Sequence, residues 1–381
     1  MELKPRRIAL FTGNYNHIAD GVSLTLNRLV AYLEQQGIEV LVFGPTVENP
    51  PVDHNGTLYP VPSISAPGRP EYRVSLFLPL QARQKLLDFK PDLIHIATPD
   101  VLGLQALVIA GRRNIPVVAS FHTNFASYLK YYDFGFLERF LWSYLRWFYR
   151  RCEALFVPTT SMQEELISHG ISTDFRIWAR GVEITKFHPD KRSEKWREQY
   201  GIGPQDKAVL FVSRLVWEKN LRAVIEVFKG CENQSSTIKT VIVGDGPALK
   251  SMKKALPQSI FTGKLSGSQL QQAYASCDLF FFPSDTETFG NVTLEAMASG
   301  LPVVAANAAG NRSLVNHGIN GLLAGANDHA VMRDHIISII SDAQKFDKMA
   351  REARRIAESY DWESVFKKLM QNYREIQNKS I

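Results

Sequence analysis

The sequence has few cysteines, and their positions exclude two kinds of site. Its three cysteines, Cys152, Cys231 and Cys277, are far apart and match no zinc-binding or redox spacing. Isolated cysteines usually behave as small buried hydrophobic residues. We therefore expect all three to lie in the core and to take no part in chemistry.

The sequence also lacks a long apolar run and an export signal. No apolar run approaches the ~20 residues that a membrane-spanning helix needs. The first apolar stretch, Ile8 to Thr12, has the length of a strand and leads into Gly13 without a small-residue cleavage site. We expect a cytoplasmic protein, and peripheral contact with the inner face of the membrane stays open.

Charge is only mildly unbalanced. The 381 residues carry a formal net charge of +6, with 45% hydrophobic and 22% charged residues, which is typical of a globular protein. The positive excess favours anionic partners. No arginine-rich run or known reader motif predicts a nucleic-acid partner, so phosphorylated ligands or an anionic membrane surface are the remaining interpretations.

Short apolar strands alternate with helical patterns in two successive series. The predicted strands are 8–12, 38–43, 93–96, 116–121 and 154–157, and then 208–212, 240–243, 259–261, 279–282 and 302–305. Such alternation indicates parallel sheets with helices on both faces. Because the chain exceeds one ordinary core, we predict an α/β fold of two doubly wound domains, 1–185 and 186–360, with 361–381 returning to the first.

The most informative segment is 280–300. An apolar strand ends at Pro283, a polar loop follows, and a helix is predicted over 292–299. Glu287 lies before that helix and Glu295 within it, while Gly290 allows a ligand to approach the backbone closely. Amides at the helix start favour an anion, so the segment predicts a diphosphate site with carboxylates for the hydroxyls of a sugar and a ribose.

Two cations follow the first strand of the second series. Arg214 and Lys219 lie at the carboxyl edge of the predicted sheet, where ligands of parallel sheets bind. Both side chains suit phosphate oxygens. Alone they would be read as solvated surface cations, but together with the loop at Gly290 they predict a phosphate clamp.

Two loops of the first domain also follow strands. The segment 13–23, with His17 and Gly21, can present amides to phosphate or can be a simple turn, and it is not the dinucleotide-binding G-x-G-x-x-G pattern. His122 can donate to a sugar hydroxyl or stabilise developing charge. His17 and His95 are expected instead to be satisfied by the backbone.

Other motifs have weaker interpretations. Lys264 and Leu265 follow a strand and could hold a base through their backbone, whereas 243–247 is predicted to be a structural turn. Asp285 and Glu287 resemble an acidic metal pair, but no third carboxylate accompanies them, so neither a metal nor another cofactor is expected.

Aromatic and basic residues are interleaved between 128 and 151. This pattern favours a membrane interface, and helices packed on the sheet with exposed arginines explain it equally well. The last predicted helix, 362–377, carries an apolar stripe that we assign to core packing alone; its members are Trp362, Val365, Phe366, Leu369, Met370 and Tyr373.

Taken together, these motifs resemble the retaining nucleotide-sugar glycosyltransferases of the GT-B fold. The resemblance covers nearly the whole chain, and its Glu-x7-Glu signature is Glu287 to Glu295. The phosphate pair matches Arg214 and Lys219. The glycine loop matches 20–22, although many members have two adjacent glycines where this chain has Asp20 and Gly21.

Within that group, which includes sucrose synthase and the phosphatidylinositol mannosyltransferases, the chain is most similar to glycolipid-forming, sulfoquinovosyl and bacterial mannosyl transferases. Segments 120–123, 176–182 and 261–266 carry this similarity. The resemblance implies two domains that face a central cleft. It also implies a UDP- or GDP-linked hexose as donor and a lipid or lipid-linked glycan as acceptor.

The resemblance further implies roles for individual residues in a metal-independent reaction. His122 and Glu287 would contact the transferring sugar, Arg214 and Lys219 the leaving diphosphate, and Glu295 the ribose. The other donor-binding residues would be Gly21, Lys264, Leu265, Phe289, Gly290, Asn291 and Val292. A GT-B epimerase or phosphorylase and a non-catalytic sugar-nucleotide-binding protein remain the alternatives.

Overall fold

The computed structural model describes residues 5–66, 69–122, 138–287 and 289–379. The chain divides into two compact units. Unit 1 contains Met1–Ala179 and Val365–Ile381, and unit 2 contains Arg180–Ser364. The sequence analysis placed the corresponding boundaries between residues 185 and 186 and between residues 360 and 361.

Unit 1 is built on a seven-stranded parallel sheet of order β3-β2-β1-β6-β7-β8-β9. Strands β4 and β5, which follow β3 in the sequence, form a separate two-stranded antiparallel sheet. The strands of unit 1 are β1 Arg7–Phe11, β2 Glu39–Gly44, β3 Thr57–Pro60, β4 Ser63–Ala66, β5 Arg69–Ser75, β6 Leu93–Ile96, β7 Val117–Ser120, β8 Ala154–Val157 and β9 Phe175–Ile177.

The helices of unit 1 follow the strands in alternation. They are α1 Gly21–Gln35, α2 Leu80–Phe89, α3 Val101–Arg113, α4 Glu138–Tyr149 and α5 Thr160–Ser168. The last helix of the chain, Trp362–Lys379, also packs in this unit from Val365 onward. Its Phe366 ring lies 5.3 Å from the ring of Tyr32 on α1, so the predicted return of the C-terminal segment is confirmed.

Unit 2 contains a six-stranded parallel sheet of order β12-β11-β10-β13-β14-β15. Its strands are β10 Lys207–Val212, β11 Ile238–Val243, β12 Ile260–Gly263, β13 Leu279–Phe282, β14 Val303–Ala306 and β15 Gly321–Ala324. Its helices are α6 Glu194–Gln199, α7 Leu221–Gln234, α8 Leu249–Ala255, α9 Gly267–Ser276, α10 Asn291–Ala298, α11 Ala309–Arg312, α12 His329–Ile340 and α13 Ala343–Glu358, and the C-terminal helix becomes α14.

The strand order of unit 2 reverses direction between β10 and β13. From β10 the chain proceeds to β11 on one side, and β13 then pairs with β10 on the other, with Val209 opposite Leu279. In open parallel sheets, ligands bind at such a reversal, beyond the carboxyl ends of the two strands. Segments 213–220 and 283–290, which we call the switch-point loops, begin at these two strand ends.

The prediction of two doubly wound parallel sheets is confirmed. Every strand predicted from an apolar run is present, whereas β3, β4, β5, β9 and β15 were not predicted. The three cysteines are buried as expected. Burial raises the pKa of the Cys152 and Cys231 thiols to about 12, so neither is a reactive thiolate.

Candidate active site

The two switch-point loops of unit 2 are joined by an ion pair. The Nζ atom of Lys219 lies 2.5 Å from Oε1 of Glu287, although the two residues are 68 positions apart. Their side chains are only 13% and 21% exposed. Partial burial strengthens a charge pair relative to one in water, so this contact places a cation and a carboxylate side by side at the reversal of strand order.

Asn220 holds the first loop in place. It has a left-handed backbone, with φ of 53°, at the start of α7, and asparagine adopts this conformation more readily than most residues. Its side-chain Nδ2 donates to the backbone oxygens of Pro283 (3.2 Å) and Ala326 (2.9 Å). The residue after Lys219 therefore fastens this loop to the other switch-point loop.

Gly310 and Asn311, at the start of α11, hold the second loop. The Gly310 amide donates to the backbone oxygen of Glu287 at 3.1 Å. A Cβ atom at Gly310 would lie 2.6 Å from that same oxygen, so only glycine permits this approach. The buried Asn311 donates through Nδ2 to the backbone oxygens of Ser284 and Ala306.

None of the described side chains caps the start of α10 with a hydrogen bond. Gly290 precedes the helix with φ of 96°, which only glycine adopts without strain. Asn291 is exposed and Val292 half-buried, whereas Phe289 is buried against the ring of Tyr360 at 5.9 Å. The first amides of an uncapped helix suit an anion, and Phe289 contributes packing to the loop that presents them.

Arg214 stands at the carboxyl end of β10 with its side chain 53% exposed. Its Nη2 lies 3.4 Å from Oε1 of Glu218. Thr286, in the other loop, donates to the backbone oxygen of Glu218 at 3.3 Å. A pair this long, in which the Arg214 side chain is half exposed, contributes little to stability, so the guanidinium can turn to another anion.

Glu295 lies on α10 and is half-buried. It accepts a hydrogen bond of 3.0 Å from the hydroxyl of Tyr274, on α9. Burial, and after it the charge of Glu295, raise the pKa of Tyr274 well above its usual value. The tyrosine therefore stays protonated and holds the carboxylate by donation.

Lys264 and Leu265 follow β12, as predicted. Lys264 is exposed and Leu265 is half-buried. The preceding Gly263 has φ of 76° and accepts from the Gly244 amide at 2.9 Å. The turn at Gly244 also packs on the first switch-point loop, since a Cβ at Gly244 would lie 1.9 Å from the Ser213 backbone oxygen. This contact agrees with the structural role predicted for segment 243–247.

In unit 1, Gly21 is the exposed first residue of α1. Asp20, which stands where many members of the group have glycine, is the N-cap of that helix. Its Oδ1 accepts from the amides of Val22 (3.0 Å) and Ser23 (2.8 Å). An internal carboxylate therefore occupies the position that an anion would take at this helix start, and a donor contact at Gly21 stays a prediction.

His122 follows β7 and is buried within unit 1. Its Nε2 lies 2.8 Å from Oγ of Ser120. Its ring packs edge-on against the ring of Trp178, with 5.0 Å between the two centroids. His17 bonds the Pro45 oxygen at 3.2 Å, as expected. The prediction for His95 was wrong in its partners: they are the side chains of Tyr373 and Ser120.

Two further features concern metals and membranes. The described residues contain no cluster of three metal-ligating side chains, and none of their helices is both long and apolar enough to cross a bilayer. Of the aromatic segment 128–151, residues 128–137 lie outside the described residues. The remainder is α4 and the turn that follows it.

Helix α4 presents apolar and basic side chains together. Phe140 is 74% exposed and Trp147 is 40% exposed, and Arg139, Arg150 and Arg151 are exposed as well. The Arg151 guanidinium lies 4.2 Å from the centre of the Trp147 ring. The opposite side of the helix is buried and includes Trp142, Leu145 and Phe148, so one face packs on unit 1 and the other faces solvent.

Sequence reasoning missed the residues that hold the loops in place. Asn220, Gly310 and Asn311 contact backbone atoms, and no charge or metal-ligand spacing marks them. The signals present in the sequence are an asparagine directly before a helix and a Gly-Asn pair after a strand, and both patterns are common in ordinary turns.

The chain matches two family models, one in each part. Residues 192–356 match "Glycosyl transferases group 1" and residues 19–186 match "Glycosyltransferase Family 4". A GDP-mannose-dependent alpha-mannosyltransferase of Corynebacterium glutamicum is 32% identical over 98% of this chain and 90% of that protein. The sulfoquinovosyl transferase SQD2 of Arabidopsis thaliana is 33% identical over 96% of this chain and 73% of that protein.

A solved structure agrees on the fold. The sucrose-phosphate synthase of Thermosynechococcus elongatus superimposes with a TM-score of 0.78, covering 98% of this chain and all of that one at 18% identity. At such identity the likeness concerns the arrangement of strands and helices.

Proposed function

Because the chain belongs to the group 1 glycosyltransferases of the GT-B fold, we propose that it moves a hexosyl unit from a nucleotide diphosphate sugar to a membrane lipid or lipid-linked glycan. We further propose that the anomeric configuration is retained. The chain is thus an enzyme, a glycosyltransferase. The relatives named above are transferases by name, and they give no support to an epimerase or to a non-catalytic binding protein.

The observation that carries this proposal is the contact between Lys219 and Glu287 near the start of α10, which receives no side-chain cap from the described part of the chain. A diphosphate needs positive charge and amide donors, and a sugar needs an acceptor for its hydroxyls. The reversal of strand order supplies all of these within two short loops. In this arrangement Lys219 would turn from the carboxylate to the phosphate when the donor binds.

The proposed chemistry is stabilisation of the leaving group. Charge grows on the diphosphate as the glycosidic bond breaks, and Arg214, Lys219 and the amides of Asn291 and Val292 would oppose that charge. Glu287 would bind sugar hydroxyls and Glu295 the ribose. Lys264 and Leu265 would border the base, and His122 would contact the transferring sugar. We propose that these groups suffice without a divalent metal.

The exposed face of α4 supports an acceptor that resides in a membrane. Phe140 and Trp147 can partition into the interface while Arg139, Arg150 and Arg151 attract anionic lipid. We therefore propose a protein that works peripherally at the cytoplasmic surface of the membrane. The names of the relatives, which include a sulfoquinovosyl transferase, are compatible with such an acceptor.

A screen of donors tests the central proposal. Each UDP- and GDP-linked hexose is added to the full chain, and the midpoint of thermal unfolding is measured; a ligand at 100 times its Kd stabilises by about 2.7 kcal/mol. The donor that stabilises most is then assayed for nucleoside diphosphate release with and without lipid vesicles, and with EDTA. If no sugar nucleotide stabilises the protein, or if none releases nucleoside diphosphate, the proposal is wrong.

Vesicle sedimentation tests the membrane proposal separately. We expect binding to vesicles with anionic lipid and weaker binding to zwitterionic ones. Phe140→Ser with Trp147→Ser should reduce it. Val108→Ser, which removes an exposed apolar residue from α3 of the same unit, is the matched control. Equal binding by all three proteins would overturn the role of α4.

A further inference from the structure

A chain of hydrogen-bonded side chains crosses the interior of unit 1 and ends at His122. The hydroxyl of Tyr373, on α14, lies 2.6 Å from Nδ1 of His95. Nε2 of His95 lies 2.9 Å from Oγ of Ser120, and that oxygen lies 2.8 Å from Nε2 of His122. All four side chains are buried, so water does not compete for these bonds.

The surroundings of the Tyr373 hydroxyl determine which atom donates in its hydrogen bond to His95. His95 is the one hydrogen-bond partner that the described residues offer to the Tyr373 hydroxyl. If Nδ1 of His95 carried a proton, the phenol O–H would be left buried without an acceptor, which is costly. Tyr373 therefore donates, and Nδ1 of His95 accepts.

The remaining protons then follow in order. Burial lowers the pKa of His95 to about 3, so the ring is neutral at physiological pH and carries its proton on Nε2. That proton is donated to Oγ of Ser120. The Ser120 O–H, in turn, finds its acceptor in Nε2 of His122, since the two histidines are its hydrogen-bond partners among the described residues.

We propose that Tyr373, His95 and Ser120 are positioning residues that hold His122 in the neutral tautomer with its proton on Nδ1. Nε2 then accepts from Ser120, and the proton of the neutral ring lies on Nδ1. A donor is what a sugar hydroxyl oxygen or a developing negative charge requires. The choice of tautomer is set by the hydrogen bond at the other nitrogen, a general property of histidine sites.

The positioning role in catalysis rests on the proposed function, but the tautomer does not. The two can therefore be tested apart. The first experiment needs no ligand: long-range ¹H–¹⁵N spectra of the full chain labelled with ¹⁵N-histidine, in which His122→Asn identifies the His122 signals. We expect a protonated Nδ1 and an unprotonated Nε2 in His122, and the opposite arrangement in His95.

Substitutions of the hydrogen-bonded side chains Ser120 and Tyr373 should remove the preference of His122 for one tautomer. Ser120→Ala and Tyr373→Phe should each convert His122 to a mixture of tautomers, and Ser120→Thr, which keeps the hydroxyl, should preserve the single form. Ser75→Ala and Tyr149→Phe are matched controls. Each removes a buried hydroxyl of unit 1 that has no hydrogen-bond partner among the described residues, and each should leave the His122 signals unchanged.

Transfer kinetics complete the test, with the donor that the thermal screen identifies. Ser120→Ala and Tyr373→Phe should lower kcat about tenfold, the effect of one lost buried hydrogen bond. KM for the donor should stay the same, because Lys219 and Glu287 are untouched. Ser120→Thr should restore kcat.

Each outcome decides one part. A proton on Nε2 of His122 in the unsubstituted protein, or a tautomer that Ser120→Ala leaves unchanged, would overturn the proposal. The expected tautomers with unchanged kcat would remove the three residues from catalysis. Should the chain transfer no sugar at all, the spectra would still report whether the tautomer is fixed, so that failure belongs to the proposed function alone.

Discussion

Nζ of Lys219 and Oε1 of Glu287 lie 2.5 Å apart across the two switch-point loops. The cation expected to bind phosphate and the carboxylate expected to bind the sugar thus neutralise each other. The pair keeps two charged, largely buried groups satisfied, and we propose that a bound donor would replace the contact. Each partner can be removed separately, and the two changes should have different effects.

Removal of the carboxylate should abolish transfer and leave the fold intact. In Glu287→Ala the sugar loses its acceptor, whereas the phosphate clamp is preserved, so nucleoside diphosphate should still raise the unfolding midpoint. Asp285→Ala is the control, because Asp285 is an exposed carboxylate of the same loop. Near-normal turnover by Glu287→Ala would remove this residue from the site.

Removal of both cations should weaken the binding of nucleoside diphosphate and slow transfer together. Arg214→Ala with Lys219→Ala deletes the side chains expected to oppose the charge of the leaving group, and each charge-assisted hydrogen bond contributes about 1.5–3 kcal/mol. Titration calorimetry and initial rates measure the two effects. Arg222→Ala with Lys229→Ala removes the same charge from exposed positions of α7. If both double variants bind nucleotide equally, the phosphate role is refuted.

The backbone of Glu287 should be as important as its side chain. In Gly310→Ala the new methyl group would lie 2.6 Å from the Glu287 oxygen, so the second switch-point loop must move. We expect transfer to fall nearly as far as in Glu287→Ala, with a loss of about 1–3 kcal/mol in unfolding free energy from overpacking. Gly111→Ala on α3 is the control, since its Cβ would meet open space, and it should raise stability slightly.

His95 should make stability depend on pH in a defined window. Burial lowers its pKa to about 3, while the unfolded chain takes up the proton near pH 6.5. The unfolded state therefore binds the extra proton, and the free energy of unfolding should fall as the pH drops from about 6.5 towards 3, by up to about 1.4 kcal/mol per pH unit.

Urea unfolding at pH 7, 6 and 5 measures this contribution. His95→Gln should flatten the profile relative to the unsubstituted protein, and His54→Gln, at an exposed histidine, should leave it unchanged. Asp100 acts in the opposite direction in part of this window, because burial raises its pKa to about 6. Comparison of the variants with one parent cancels that effect, and parallel profiles would contradict the prediction for His95.

Sequence reasoning identified the strand ends and the charged residues that follow them. Apolar runs such as 279–282 and the helix start at Gly290 have local causes, since hydrophobic period and turn chemistry act over a few residues. The short strand β9, Phe175–Ile177, escaped because three residues interrupted by Arg176 carry too little signal.

The C-terminal helix shows the limit of pattern reasoning for a single residue. Its apolar stripe was assigned to packing alone, and burial of Phe366, Leu369 and Met370 agrees with that assignment. Tyr373 lies in the same stripe, yet its hydroxyl contacts His95, 278 positions away in the chain. Helical spacing shows that a side chain faces the core, but it does not show what its polar atom meets there.

The sequence by itself determined the two series of strands, the loop with Glu287 and Glu295, and the cations Arg214 and Lys219, because each depends on neighbours within a few positions. Only the tertiary structure decided that β13 pairs with β10, that Asn220 and Gly310 hold the two switch-point loops, and that Tyr373 reaches His95. These relationships arise from strand order and a shared core, which join residues that no local pattern connects.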